Sequence, residues 1–82
     1  MALLKKKDIL VAIAEALELP STEVGEDASS ETIDAWDSIG HLGILTQIDK
    51  AANGRAASLQ DLAAATSFAD IHRILQGNGL AE

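Results

Sequence analysis

The sequence contains no cysteine, a single proline and only two large aromatic residues, Trp36 and Phe68. The lack of cysteine excludes disulfides and thiolate metal ligands, so any thiol chemistry would have to be brought by a cofactor. Ala and Leu are abundant, and this composition favours helices over β-sheets, which are richer in aromatic and branched residues. We therefore expect an all-α protein.

Basic residues are also few. The chain has six Lys and Arg residues and thirteen Asp and Glu residues, which gives a formal net charge of −7. Nucleic-acid phosphates are bound mainly through Lys and Arg, so this balance argues against a nucleic-acid partner. It suits basic protein partners that associate quickly and transiently, although the same charge would also serve solubility alone.

Long hydrophobic runs are absent as well. The longest apolar stretch, residues 9–19, contains Glu15 and Glu18, so we expect neither a membrane span nor a signal-peptide core. The basic run Lys5–Lys7 looks like the start of a signal peptide, but Asp8 follows at once. We expect residues 1–82 to form one cytoplasmic, monomeric domain, too small to enclose a deep active site.

Apolar spacing and helix-stop signals predict four helices, at residues 4–18, 38–52, 58–65 and 68–76. Residues 19–37 form a long acidic loop between the first two helices, with Val24 and Ile33 as its anchors and Trp36 closing it. We expect residues 77–82 to be a mobile tail. The predicted fold is a small four-helix bundle.

Gly40 and Gly43 interrupt the second predicted helix. Each lowers helix stability by about 1 kcal/mol relative to alanine. Their presence suggests close approach by another surface, the alternative being that they have no packing role.

The tripeptide Asp37-Ser38-Ile39 stands where the acidic loop meets the second predicted helix. Asp37 can cap the helix, which places Ser38 on the first turn with its hydroxyl pointing outward. Because a helix N-terminus favours bound phosphate, Ser38 is well placed to carry a phosphate-linked prosthetic group. Taken by itself, the tripeptide favours an ordinary first-turn serine beside an Asp cap.

Residues 36–42, Trp-Asp-Ser-Ile-Gly-His-Leu, resemble the attachment motif of discrete bacterial acyl carrier proteins. The chain length, the helix order and the acidic loop extend the resemblance over nearly the whole chain, and Ile39 replaces the usual leucine. The resemblance implies a 4′-phosphopantetheine arm from coenzyme A, attached covalently to Ser38, with Asp37 as the capping motif residue. Such an arm carries acyl groups as thioesters, and the carrier performs no catalysis itself.

The partners implied by the resemblance are a phosphopantetheinyl transferase and the enzymes that load and transfer acyl groups. They would dock on the second helix, where the implied contact residues are Ile39, Leu42 and Asp49. From the sequence alone, Ile39 and Leu42 could equally complete the core.

The docking helix departs from the pattern of carriers in fatty acid synthesis. At three positions that are usually acidic, this chain has Gly43, Asp49 and Lys50, so only Asp49 matches. A position that is often a large apolar contact is Thr46. These departures favour a specialised biosynthetic pathway.

The main alternative function is a non-carrier helical interaction module that binds a basic or apolar partner through the second helix. A hydrolase using Ser38 and His41 lacks an orienting third group and an enclosed pocket, so we expect no enzyme activity. His41 is expected to pack beside the loop or to contact a partner. His41 and His72 are far apart and the acidic loop lacks calcium-loop spacing, so no metal site is expected.

Overall fold

A computed structural model describes residues 3–56 and 58–82 of the chain. This part contains three α-helices and two short 3₁₀ helices, and no β-strand. The α-helices are α1 at Lys6–Leu17, α2 at Ser38–Ala51 and α3 at Phe68–Gly77. The 3₁₀ helices lie at Ser21–Glu23 and Gln60–Ala64. The all-α expectation is confirmed.

The third predicted helix, at residues 58–65, is the element whose structure differs from the prediction. Only Gln60–Ala64 is helical there, and it is a 3₁₀ helix, so the described chain has three α-helices where four were predicted. Ser58 does not cap it; Leu59 stands at its N-cap without a side-chain hydrogen bond. A run of five residues gains too few hydrogen bonds to offset the cost of starting an α-helix, whereas 3₁₀ helices occur as short pieces.

Helices α1 and α2 are the main packed pair and run antiparallel. Gly43 near the start of α2 faces Ala16 near the end of α1, while Lys50 near the end of α2 lines a surface groove with Lys7 at the start of α1. The six largest fully buried side chains lie in the core around this pair: Ile9, Ile13, Ile44, Ile48, Ile71 and Leu75.

Of the two glycines in α2, Gly40 has less space for a side chain than Gly43. A Cβ there would lie on the Ala35 carbonyl oxygen and 2.8 Å from Cδ2 of Leu17. At Gly43 the nearest atom would be the Cβ of Ala16 at 3.5 Å, which is ordinary van der Waals contact. The close approach of Ala35 and Leu17 therefore explains why residue 40 is a glycine. At Gly43, by contrast, there is room for a methyl group.

The acidic loop is anchored as the sequence predicts. Val24 and Trp36 are buried, and Ile33 is half-buried against the core. The backbone of the loop is also tied to the segment before α3, because the Ser30 N–H donates to the Thr66 carbonyl at 2.8 Å. The loop is thus fixed at its middle and at its end, which sets where α2 begins.

The N-terminus of α3 has a side-chain cap. The Asp70 N–H donates to the Ser67 hydroxyl at 3.1 Å, and Asp70 Oδ2 accepts from the Thr66 N–H at 3.2 Å. The hydrogen bond from the Thr66 backbone outweighs the opposing effect of burial and lowers the pKa of Asp70 below its ordinary value. The predicted start of this helix is confirmed.

Residues 77–82 were expected to form a mobile tail, whereas the structure packs the end of this segment against the start of the chain. Leu80 and Ala81 are buried. The Leu4 N–H donates to the Leu80 carbonyl, and the Glu82 N–H donates to the Leu4 carbonyl, both at 2.9 Å. The two apolar residues after the glycine turn are the sequence signal for this contact.

Replacing Gly40 by Ala is expected to lower the free energy of unfolding by about 1–3 kcal/mol, because the new methyl group would meet backbone and Leu17. Gly43→Ala is the matched control, and it should leave stability unchanged or raise it by up to about 1 kcal/mol. Urea unfolding followed by circular dichroism measures both. Equal effects of the two substitutions would contradict the close approach at Gly40.

Candidate functional site

Ser38 is the first residue of α2, and Asp37 caps that helix. Asp37 Oδ1 accepts a hydrogen bond from the Gly40 N–H at 2.8 Å. Ser38 is exposed, and no group in the described part of the chain hydrogen-bonds its hydroxyl. The capping predicted from the sequence is confirmed, and the serine hydroxyl is accessible.

A groove of about 510 Å³ opens beside Ser38, and we call it the serine groove. Residues of α2 form one side and residues 63–66 form the other; we call residues 60–66 the wall segment. Most of the side chains in the groove are apolar. The lining residues are Ser30, Trp36, Asp37, Ser38, His41, Leu42, Leu45, Ala63, Ala64, Ala65 and Thr66. Its volume falls in the range of small-molecule sites, which is about 300–1,000 Å³.

Ile39 and Leu42 are the most exposed large apolar side chains of the described chain, at 81% and 64% exposure. They stand three residues apart, so they lie side by side on α2. We call this pair the apolar patch. From the sequence alone, Ile39 and Leu42 could belong either to the core or to the exposed surface. In the structure both lie on the exposed surface. It adjoins Ser38 on the same helix.

His41 connects Trp36 to the wall segment. The Trp36 Nε1–H donates to His41 Nδ1 at 3.0 Å, and His41 Nε2 is 2.8 Å from the Leu62 carbonyl oxygen. Because an indole can only donate and a carbonyl can only accept, this network assigns the neutral imidazole with its proton on Nε2. The two rings also stack, with centroids 6.1 Å apart and planes at 15°. His41 therefore packs beside the loop, and Trp36 closes the core.

The same network bears on acid–base chemistry at Ser38. Both ring nitrogens of His41 have hydrogen-bond partners, and neither partner is the serine hydroxyl.

Among the described residues, no group of three or more His, Cys, Asp or Glu side chains could hold a metal ion. In residues 3–56 and 58–82, no helix has the length and apolar character needed to cross a membrane.

Asp49, the other residue implied in partner binding, makes a contact within the chain. Its Oδ1 accepts from the Ala56 N–H at 3.1 Å, which holds the turn after α2. The hydroxyl of Thr46 donates to the Leu42 carbonyl at 3.0 Å and remains exposed. Contact of Asp49 with a partner stays a prediction.

The residues on the far side of the serine groove are not among those predicted from the sequence. Ser30 and the wall segment come to this site from distant parts of the chain. The run Ala63-Ala64-Ala65 was a signal, since small side chains leave space beside a neighbouring helix.

Asp37→Ala should lower the free energy of unfolding by about 0.5–2 kcal/mol, because the Gly40 N–H loses its acceptor. Asp37→Asn should retain most of the stability, since asparagine caps helices about as well as aspartate. Thermal and urea unfolding of both variants test this. A destabilisation of the same size in the two variants would show that charge, and not the hydrogen bond, is what Asp37 contributes.

Comparison with known proteins gives no further guide to this site. No family model, no curated protein and no solved structure matches the chain. The case for a function therefore depends on the residues around Ser38.

Proposed function

We propose that this chain is an acyl carrier protein that carries 4′-phosphopantetheine on Ser38. The observation that carries the proposal is the exposed Ser38 hydroxyl at the capped start of α2, next to the apolar patch and the serine groove. The attachment motif at residues 36–42 supports the same assignment. In this proposal the fold is an acyl-carrier bundle whose third helix is reduced to one short 3₁₀ helix.

The residues around Ser38 fit a phosphodiester. In a capped helix the first backbone N–H groups have no partner within the helix, and here Asp37 accepts only from Gly40. The N–H groups of Ser38 and Ile39 therefore remain at the positive end of the helix dipole, where a phosphate on the serine oxygen is favoured. The hydroxyl is accessible to an enzyme without any change in the core.

The attachment reaction balances as a phosphoryl-group transfer. Ser38 Oγ forms a bond to the β-phosphorus of coenzyme A, and the bond from that phosphorus to the oxygen bridging it to the α-phosphorus breaks. The leaving group is 3′,5′-ADP. The hydroxyl proton passes to a base on the transferase, because His41 uses both ring nitrogens elsewhere. The attached arm supplies a thiol that holds acyl groups as thioesters, which a chain without cysteine cannot do alone.

The surface around Ser38 suits transient partners. Ile39 and Leu42 offer apolar contact area, and the net charge of −7 attracts basic surfaces over a distance. The proposed partners are a phosphopantetheinyl transferase and the enzymes that load and transfer acyl groups. We propose a cytoplasmic monomer that works in a specialised pathway, since Gly43 and Lys50 replace acidic residues on α2.

The second candidate is an interaction module that binds a partner through α2 without carrying an arm. The exposure of the apolar patch favours it, because such a patch needs no modified serine to bind a protein. The two candidates differ in whether Ser38 is modified.

Incubation with coenzyme A, Mg²⁺ and a broad-specificity phosphopantetheinyl transferase should add one phosphopantetheine group, detected by intact-protein mass spectrometry. Ser38→Ala should abolish the adduct and keep the helical circular dichroism signal, because the exposed hydroxyl contributes little to packing. Ser30→Ala is the matched control, since it removes another hydroxyl that lines the same groove and should load normally.

An adduct that persists in Ser38→Ala would contradict attachment at this serine. If the folded wild-type chain gains no adduct while an established carrier loads in parallel, the interaction module becomes the better assignment.

Ile39→Glu should lower kcat/KM for loading by about tenfold, because it places a charge in the apolar contact with the transferase. Val11→Glu is the control, since it puts the same charge on an exposed apolar residue of α1. Initial loading rates at several carrier concentrations measure both variants. Unchanged kinetics for Ile39→Glu would place Ile39 outside the interface.

A further inference from the structure

We infer that His41 is a positioning residue of the Ser38 site, which as a neutral imidazole holds the wall segment against the start of α2. The inference concerns the serine groove itself; only its effect on loading rests on the proposed function. Three parts of the chain meet at this one ring: the end of the acidic loop, α2 and the wall segment.

The wall segment has few other polar ties to α2. Leu62, the central residue of the 3₁₀ helix Gln60–Ala64, is buried. The Leu62 carbonyl accepts both the His41 Nε2–H at 2.8 Å and the Ala65 N–H at 3.2 Å. The second bond lies within the segment. In the described chain, the His41 bond is thus the polar contact that joins the 3₁₀ helix Gln60–Ala64 to α2. A 3₁₀ helix this short has little stability of its own, so its position depends on such contacts.

Both bonds of His41 require one protonation state. Protonation would place a hydrogen on Nδ1, facing the Trp36 Nε1–H, and the bond between the two rings would be lost. The other neutral tautomer would leave two donors facing each other at Trp36 and two acceptors at Leu62. The position of the wall segment is thereby linked to the proton on a single ring.

The charged neighbours of this ring are few. Asp37 is the other titratable residue that lines the serine groove. On the wall segment, Asp61 lines different surface grooves, and Asp70 of α3 bonds Thr66. None of the three carboxylates hydrogen-bonds His41 in the described chain.

His72 provides an internal comparison. It stacks on Phe68 with centroids 5.7 Å apart, and its Nε2 is 2.7 Å from the Glu82 carbonyl oxygen. Like His41, His72 therefore stacks on an aromatic ring and bonds a backbone carbonyl. Unlike His41, it contacts the C-terminal segment and does not line the serine groove. It is a matched control for the loss of a stacked histidine.

The single tryptophan makes a direct test available. In a ¹H–¹⁵N spectrum of the unmodified protein, the one indole N–H signal reports the bond to His41, and imidazole ¹⁵N shifts report the tautomer. We expect a proton on Nε2 at neutral pH.

Variants separate the hydrogen bonds from the stacking. His41→Phe keeps a ring and removes both bonds, so hydrogen exchange at the Trp36 indole and in the wall segment should rise about threefold to tenfold. His41→Gln can accept and donate at once, so it should restore part of the protection. His72→Phe should leave both sites unchanged. Under the proposed function, loading of Ser38 should slow severalfold in His41→Phe and not in His72→Phe.

The inference is overturned if His41 carries its proton on Nδ1 at neutral pH, or if the indole signal and wall-segment exchange are the same in His41→Phe as in wild type. The tautomer is measured on wild type, so the test stands even if His41→Phe fails to fold. If wild type does not load, the proposed function fails, and these spectroscopic outcomes still decide the role of His41.

Discussion

The close approach at Gly40 is the constraint on which the Ser38 site depends. Because Gly40 has no side chain, the Ala35 carbonyl and Leu17 can lie directly against the first turn of α2. That contact fixes the end of the loop relative to both long helices. Asp37 caps α2 through its carboxylate, which accepts from the Gly40 N–H, and Ser38 is left exposed. One residue thus supplies both the packing space and the capped N–H.

Helix α2 contributes one side to the buried core and exposes apolar side chains elsewhere on its surface. The inner face of α2 contributes Ile44 and Ile48, which are fully buried, while Ile39 and Leu42 on the same helix are exposed. Exposure of large apolar groups costs solubility, which the net charge of −7 offsets. The arrangement suits a protein whose contacts must form and dissociate repeatedly, because steering by charge speeds association and a small apolar contact limits its strength.

The sequence predicted the local features well and the long-range ones poorly. Helix α2, its cap and the anchors of the acidic loop follow from spacing and capping chemistry, which depend on neighbouring residues. The third predicted helix, at residues 58–65, overlaps the wall segment, and the backbone there depends on contacts with distant residues such as His41. The bond from His41 to Leu62 spans 21 positions, and no local pattern encodes it. The packing of Leu80 against Leu4 was not predicted either, because the apolar residues after the glycine turn do not indicate which distant segment they contact.

The pairing of Leu4 with the segment at Leu80 and Ala81 also decides where additional chain can be attached. Leu4 lines a groove with Lys50 and Ala51, so both ends of the fold lie near the last turn of α2. Ser38 is at the other end of that helix, about 20 Å away for 14 residues. A linker, a tag or a neighbouring domain joined at either end therefore leaves the molecule on the side away from Ser38. Immobilising the protein through such a tag would keep the serine and the apolar patch facing solution.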